Sequence, residues 1–332
     1  MENKKFSYKT VYTIYIIMFC IVLVYSIGWY VIGRKYKNYA IEKISKIPSV
    51  SYEKVSLSGF PLKFGLKFAD LKFSNTSYGV NVSFLTKKMQ LSKPLFDDVV
   101  KINLNNIRYE NSENRGVEIV LSDNNEISLL FKNNKITSIN AFIPSIVVED
   151  SNDKDSKVVI KNIVYKTEEI KNDSYINKPN YLDVEKILAY SRDEKEEKLK
   201  NESNLSLDLS LISIMDGENI LSNGLELNKF VYNNLTSDYS INLSGEYKVN
   251  PKTVFSLLFN IDLNNYDNFV SSLTDPIQIE SVKNLSSVIP SINDNEDKNK
   301  HIVIKKTVDS DVIMVNEKPL NDVINDMLKT IK

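Results

Sequence analysis

Few residues in this chain have side chains that could do chemistry. Its 332 residues include one histidine, His301, and one cysteine, Cys20. A Ser–His–Asp triad would have to use His301, which opens a predicted strand, and no Gly-x-Ser-x-Gly elbow accompanies it. Zinc ligation by His/Cys clusters, Cys–His catalysis and multi-histidine metal sites all need more of these side chains than the sequence holds. Carboxylates do cluster, at Asp97-Asp98, at Glu149-Asp150 with Asp153 and Asp155, and at residues 294–297. Such clusters could hold calcium or supply a glycosidase acid and base. None has complete EF-hand spacing and all lie among turn-forming residues, so they read as solvated turns. Neither a Walker A loop nor a Rossmann glycine fingerprint is present. The expectation is a protein that is not an enzyme, with no cofactor and no metal.

Charge narrows the partners. Lys plus Arg number 42 and Asp plus Glu 43, a net charge of −1. A nucleic-acid partner would call for a concentrated basic surface, so none is expected. With one cysteine there is no intrachain disulfide, and the redox compartment stays open. Cys20 does not fit a lipoprotein cleavage site, because bulky Met18 and Phe19 precede it where a small residue is needed.

The element that must position everything else is the uncharged stretch over residues 10–33. As a helix it reaches about 36 Å, against a hydrocarbon core of ~30 Å. Val11, Ile14, Ile21, Val24, Trp29 and Ile32 belong to this predicted membrane anchor, with Trp29 and Tyr30 suited to an aromatic belt. A cleaved signal peptide is the rival reading, with Lys4, Lys5 and Lys9 as its basic region. The apolar run continues through Ile27, Trp29, Val31 and Ile32 to Arg34-Lys35, which favours an uncleaved single-pass anchor. Basic residues flank both ends, so the positive-inside rule does not set the orientation.

Beyond the anchor, helical spacing continues through Ala40, Ile41, Ile44 and Ile47 up to Pro48. The period then changes to two: Leu62, Phe64, Leu66 and Phe68 share one face while Lys63, Gly65 and Lys67 share the other. After Asp70 the apolar set shifts to Leu71 and Phe73, which predicts a bend. Strands are predicted over 79–84, 99–109, 116–121, 126–131, 135–143, 145–149 and 157–165. A charged helix is predicted from 182 to about 200. Strands resume over 205–213, 225–232 and 239–249. Helices are expected from Asn250-Pro251, with Val254, Leu257 and Leu258 on one face, and over 264–273. A hairpin over 301–306 and 312–316 precedes a C-terminal helix, with Val323, Ile324, Met327, Leu328 and Ile331 on one side.

The expected fold is mainly β with a few helices: a single N-terminal transmembrane helix followed by an elongated, curved antiparallel sheet, as a groove or a sandwich. Its parts are a short basic tail (1–9), the transmembrane helix (10–33) and a juxtamembrane helix and linker (34–50). A first β-rich half (51–167), a polar, partly helical insertion (168–203) and a second β-rich half with the C-terminal helix (204–332) follow.

The order of an apolar helix ending near Gly28-Trp29-Tyr30, a basic amphipathic helix and then Val55-Ser56-Leu57-Ser58-Gly59-Phe60-Pro61-Leu62-Lys63-Phe64 resembles an alphaproteobacterial family, domain of unknown function 2125. Gly59, Phe60 and Pro61 match its signature at the opening of the first long strand. The resemblance covers about residues 10–110, and extends loosely to AsmA-like envelope proteins. It implies a bacterial inner-membrane protein with residues 1–9 cytoplasmic and the β-rich body in the periplasm.

Two functions fit this reading. The first is non-catalytic binding or transfer of a lipid or another apolar envelope component, along a groove that includes Leu62, Phe64, Leu66 and Phe68 and continues in Leu205, Leu207, Leu209 and Leu211. The second is a scaffold or adaptor that recruits a protein partner in the envelope. An apolar alternating face is also what an ordinary core presents, so only its cover can separate these readings.

Overall fold

The fold was analysed in a computed structural model, which describes residues 8–77, 80–95, 97–111, 116–133, 135–150, 156–172, 174–193, 196–216, 219–249, 255–275, 278–280, 282–283, 299–308, 310 and 312–330. Lys4, Lys5, Gly79, Asp153, Asp155, Asn250, Pro251, Val254, residues 294–297 and Ile331 lie outside these, as do the side chains of Lys9, Val11, Ile14, Met327 and Leu328. The chain divides into two compact units, residues 1–114 and 115–332. The division thus falls earlier than the polar segment 168–203, which the sequence reading places between two β-rich halves.

The first unit opens with helix α1 (Tyr8–Ile44), 37 residues and about 55 Å at the usual rise. The apolar run and the amphipathic segment form one unbroken helix. It is long and apolar enough to cross a membrane. Beyond it lie β1 (Val50–Ser51), β2 (Lys54–Ser58), β3 (Lys63–Ser77), β4 (Val80–Pro94), β5 (Val99–Leu104) and β6 (Asn106–Asn111). β3 is central: β1 and β2 pair with it on one side and β4 on the other, all antiparallel. β4 in turn pairs with β6 and β5. Asp70, at φ +48°, supplies the bend that the sequence predicts, and the buried side changes there from Leu66 and Phe68 to Leu71.

The core of this unit lies between α1 and the sheet. Ala40, Ile41 and Ile44 of α1 pack against Val55, Leu66, Phe68 and Leu71. Leu66 and Phe68 are 1% and 2% exposed, and burial of each contributes about 1.5–3 kcal/mol. These two residues are therefore core, not the lining of a groove.

The second unit is an antiparallel meander. β7 (Gly116–Leu121) and β8 (Glu126–Lys132) both pair with β9 (Lys135–Asp150). The sheet then runs through β10 (Ser156–Glu168), β12 (Tyr175–Asp193), β13 (Glu196–Asp216), β14 (Asn219–Asn234), β15 (Tyr239–Val249), β16 (Phe255–Asn264) and β17 (Lys300–Lys306), each antiparallel to the next. The two-residue strands β11 (Ile170–Lys171), β18 (Met314–Val315) and β19 (Lys318–Pro319) add at its margins. A short helix α2 (Tyr266–Ser272) follows β16, and a C-terminal helix spans Leu320–Thr330.

The expected helix over 182–200 is instead a strand pair, β12 with β13. Leu182 and Val184 sit opposite Leu207 and Leu205, so period-two packing overrides the helical propensity of the charged run. Its charges find partners across the strands: Lys157 with Glu197 at 2.6 Å and Lys186 with Glu202 at 3.0 Å. Likewise Leu257 and Leu258, expected on a helix, lie in β16 opposite Tyr247 and Glu246. The strands expected over 135–143 and 145–149 are one strand, β9, which runs through Pro144.

Candidate functional site

In an antiparallel ladder, directly opposed residues share a face. Following the register across the second unit therefore shows what each face carries. One row reads Ile143, Ile163, Val184, Leu205, Tyr232, Ile241 and Leu263 from β9 to β16. The next row is Ala141, Tyr165, Leu182, Leu207, Phe230, Leu243, Ile261 and, on β17, Ile302. A third contains Leu209, Leu227, Gly245, Phe259 and Ile304. Eight strands thus present one continuous apolar band. At about 4.8 Å between strands, seven spacings span roughly 34 Å.

The opposite face is the more polar one, although Val164, Ile212, Ile214 and Val231 lie on it. Asp208 and Lys229 oppose one another there, as do Glu226 and Glu246, Asn242 and Asp262, and Ser244 and Asn260. A cleft of about 250 Å³ is lined by Ile212, Ile214, Ser222, Gly224, Glu226 and Lys248, among others. A 2.6 Å ion pair joins Lys248 and Glu246 at this cleft.

The apolar band is only partly buried. Among the described residues, the closest backbone approaches of helices in this unit are those of α2 to β15 and of the C-terminal helix to β18 and β19. The C-terminal helix closes only the β17 margin, where Val323 and Val315 pack with Ile302 and Leu320. At one end of the strands the α2 ring of Phe269 meets Tyr239 at 5.3 Å. Leu205, Leu207, Leu209, Phe230, Leu243 and Ile261 remain half-buried, and Leu211 is 46% exposed. Of the first row only Ile163 and Val184 are buried. Contiguous apolar surface of this extent is uncommon on a soluble folded domain.

The band's flanks carry ordinary surface electrostatics. Lys178 forms a 2.8 Å salt bridge with Glu169. That hydrogen-bonded ammonium holds the Glu169 carboxyl below its usual value against a smaller opposing effect of burial. The Glu202 carboxylate raises the Lys186 ammonium in the same manner.

The residues singled out in sequence fall in three places. Leu205, Leu207, Leu209 and Leu211 belong to the apolar face, although their cross-strand partners on β10, β12 and β14–β17 could not be read without the register. Leu66 and Phe68 are buried under α1, and Phe64 stacks on Trp29 with ring centroids 5.6 Å apart. Leu62 lies in the turn before β3, 68% exposed. Gly59, Phe60 and Pro61 form that same turn and do not open the strand. Gly59 has φ +95° and leaves no room for a Cβ, which would lie 2.7 Å from the Lys63 carbonyl oxygen. The Phe60–Pro61 peptide is cis. Ile21, Val24 and Ile32 are exposed along α1, as a lipid-facing helix requires, and Trp29 is partly covered.

His301 lies on the polar face, its Nδ1 against Asp262 across β16 and β17. Asp97 accepts a bond from its own turn's Val99 amide at 3.1 Å, and Asp98 pairs with Lys93. Among the described residues, no group of three or more His, Cys, Asp or Glu is placed to hold a metal ion. No protein-family model matches the chain, and no curated protein or solved structure is significantly similar to it.

Proposed function

We propose that this is a single-pass membrane-anchored protein whose second unit binds the hydrocarbon part of a lipid along its apolar sheet face, without catalysis. The observation that carries this reading is the band through Leu207, Phe230, Leu243 and Ile261, continuous across β9–β17, whose side chains are only half-buried. Leaving it in water would cost about 25 cal/mol for each Å² of apolar surface. Its length of roughly 34 Å is comparable with a whole bilayer's hydrocarbon core of ~30 Å, so a single acyl chain fits on it. An apolar helix in the same chain supplies the source, since α1 is long and apolar enough to reside in a bilayer. Together these favour an apolar occupant over a polar one. The resemblance described above would place the body in the periplasm of a bacterial inner-membrane protein.

Native mass spectrometry of the full chain released from detergent tests the reading. Wild-type protein should carry bound lipid at defined stoichiometry, and Phe230→Asp should lose it while keeping its circular dichroism spectrum. Equal lipid retention by both proteins would overturn the assignment to this face.

A further inference from the structure

The turn over residues 59–62 reaches back along α1 toward the membrane. The Tyr25 hydroxyl donates to the carbonyl of Pro61, and the Trp29 indole N–H donates to the carbonyl of Lys63 at 3.3 Å. The Phe60 ring lies 5.3 Å from Trp29, edge-on, and 6.2 Å from Tyr25. One turn of helix further on, Gly33 lies against Leu57 and Phe64. The β2–β3 hairpin therefore runs beside the helix, its tip level with Tyr25 and Trp29.

The depth of that tip follows from helix geometry. Tyr25 precedes Arg34, the first charge after the apolar run, by nine residues, about 13 Å at 1.5 Å each. The uncharged run exceeds a ~30 Å hydrocarbon core by only about 6 Å. Sliding the helix within that slack cannot lift the level of Tyr25 out of the lipid. The tip has the chemistry for this position. Phe60 is 50% and Leu62 68% exposed, and Pro61 has no amide hydrogen to desolvate. The polar atoms of Tyr25 and Trp29 are already paired with the turn's own carbonyls, as a low-dielectric setting demands. Charges nearby are all basic: Arg34, Lys35, Lys63 and Lys67 are exposed, and no acid occurs in residues 54–69 or 10–41. Such a cluster suits anionic headgroups.

We propose that the 59–62 turn is a second membrane-contacting element, which seats Phe60 and Leu62 among the lipid chains beside α1 and so fixes the first unit against the bilayer. This rests on α1 spanning the membrane, and is independent of the lipid-binding face of the second unit.

Site-specific fluorescence on the full chain tests it. Cys20→Ala removes the sole thiol, and single cysteines are then placed at Leu62, at Ile21 in the span, and at Lys72. Lys72 is exposed on β3, nine residues from Lys63 and about 30 Å along the strand. Each carries a polarity-sensitive label in vesicles of phosphatidylcholine and phosphatidylglycerol, with and without brominated phosphatidylcholine. The Leu62 label should be quenched several-fold more than the Lys72 label and emit further to the blue. Quenching at Ile21 with none at Leu62 would overturn the proposal while leaving the span intact. Loss of quenching at Ile21 as well would remove the spanning helix on which it rests. Leu62 is exposed, so its substitution leaves the packed core untouched.

Discussion

Trp29 and Phe64 stack with ring centroids 5.6 Å apart and planes 17° from parallel. One ring belongs to the apolar helix and the other to the first long strand, so the sheet of the first unit is packed onto α1 and not hung from it by a loose linker. Tyr36 joins the same group at 6.5 Å from Phe64. Aromatic pairs of this kind contribute about 0.5–1.5 kcal/mol beyond their buried area. Substitution of Gly33 by Leu would push Leu57 and Phe64 away, since even a Cβ there meets them at 3.4–3.6 Å. Proteolysis within β2 and β3 should accelerate in Gly33→Leu and stay unchanged in Gly28→Leu, because nothing lies near Gly28.

Leu66→Ala and Phe68→Ala should each destabilise the protein by about 2–5 kcal/mol, the usual cost of a cavity in a packed core. Leu62→Ala, at an exposed turn position, should fall within about 0.5 kcal/mol of wild type. Denaturant unfolding in mild detergent measures all three, and equal small effects would mean that Leu66 and Phe68 face a groove after all.

Gly59→Val places a β-branched side chain at φ +95°, with its Cβ 2.7 Å from a backbone oxygen. A cost of about 1–3 kcal/mol is expected from such backbone strain. Hydrogen exchange should report it as faster opening of β2 and of the start of β3, with the second unit unaffected.

Glu169 offers a pH-dependent test. Its folded-state pKa lies below the ordinary 4.5 because of Lys178. The pair's stabilisation is therefore complete above that ordinary value and is lost as pH falls through the lowered one. Both groups are partly exposed, so the loss should stay within about 0.2–1 kcal/mol. Carboxyl NMR should show the Glu169 titration move up toward 4.5 in Lys178→Met.

Local patterning made the strands of the first unit legible, because Leu66 and Phe68 alternate strictly with Lys63 and Lys67. What covers them was not legible. Ala40, Ile41 and Ile44 look equally ready for headgroups or for a sheet, and only the fold shows that they close over Leu66. The charged run near Lys200 misled for a related reason. Its helix-forming side chains say nothing about Leu182 and Val184 meeting Leu207 and Leu205, a pairing that only long-range register decides. The apolar face of the second unit was visible on one strand, at Leu205–Leu211, and hidden on its neighbours. Phe230, Leu243 and Ile261 join it through ladder partners separated in sequence, and register shifts such as that between Leu227 and Phe230 break the simple alternation there.

Photo-crosslinking in intact membranes tests the central claim most directly. A benzophenone side chain replaces Leu207 on the apolar face or Asp208, the next residue, on the polar face. Irradiation should give a lipid-mass adduct on the peptide carrying position 207 and none at 208. Equal labelling at both, or an adduct of protein mass at 207, would contradict lipid binding on this face, and the latter would make the sheet a docking surface for a protein partner.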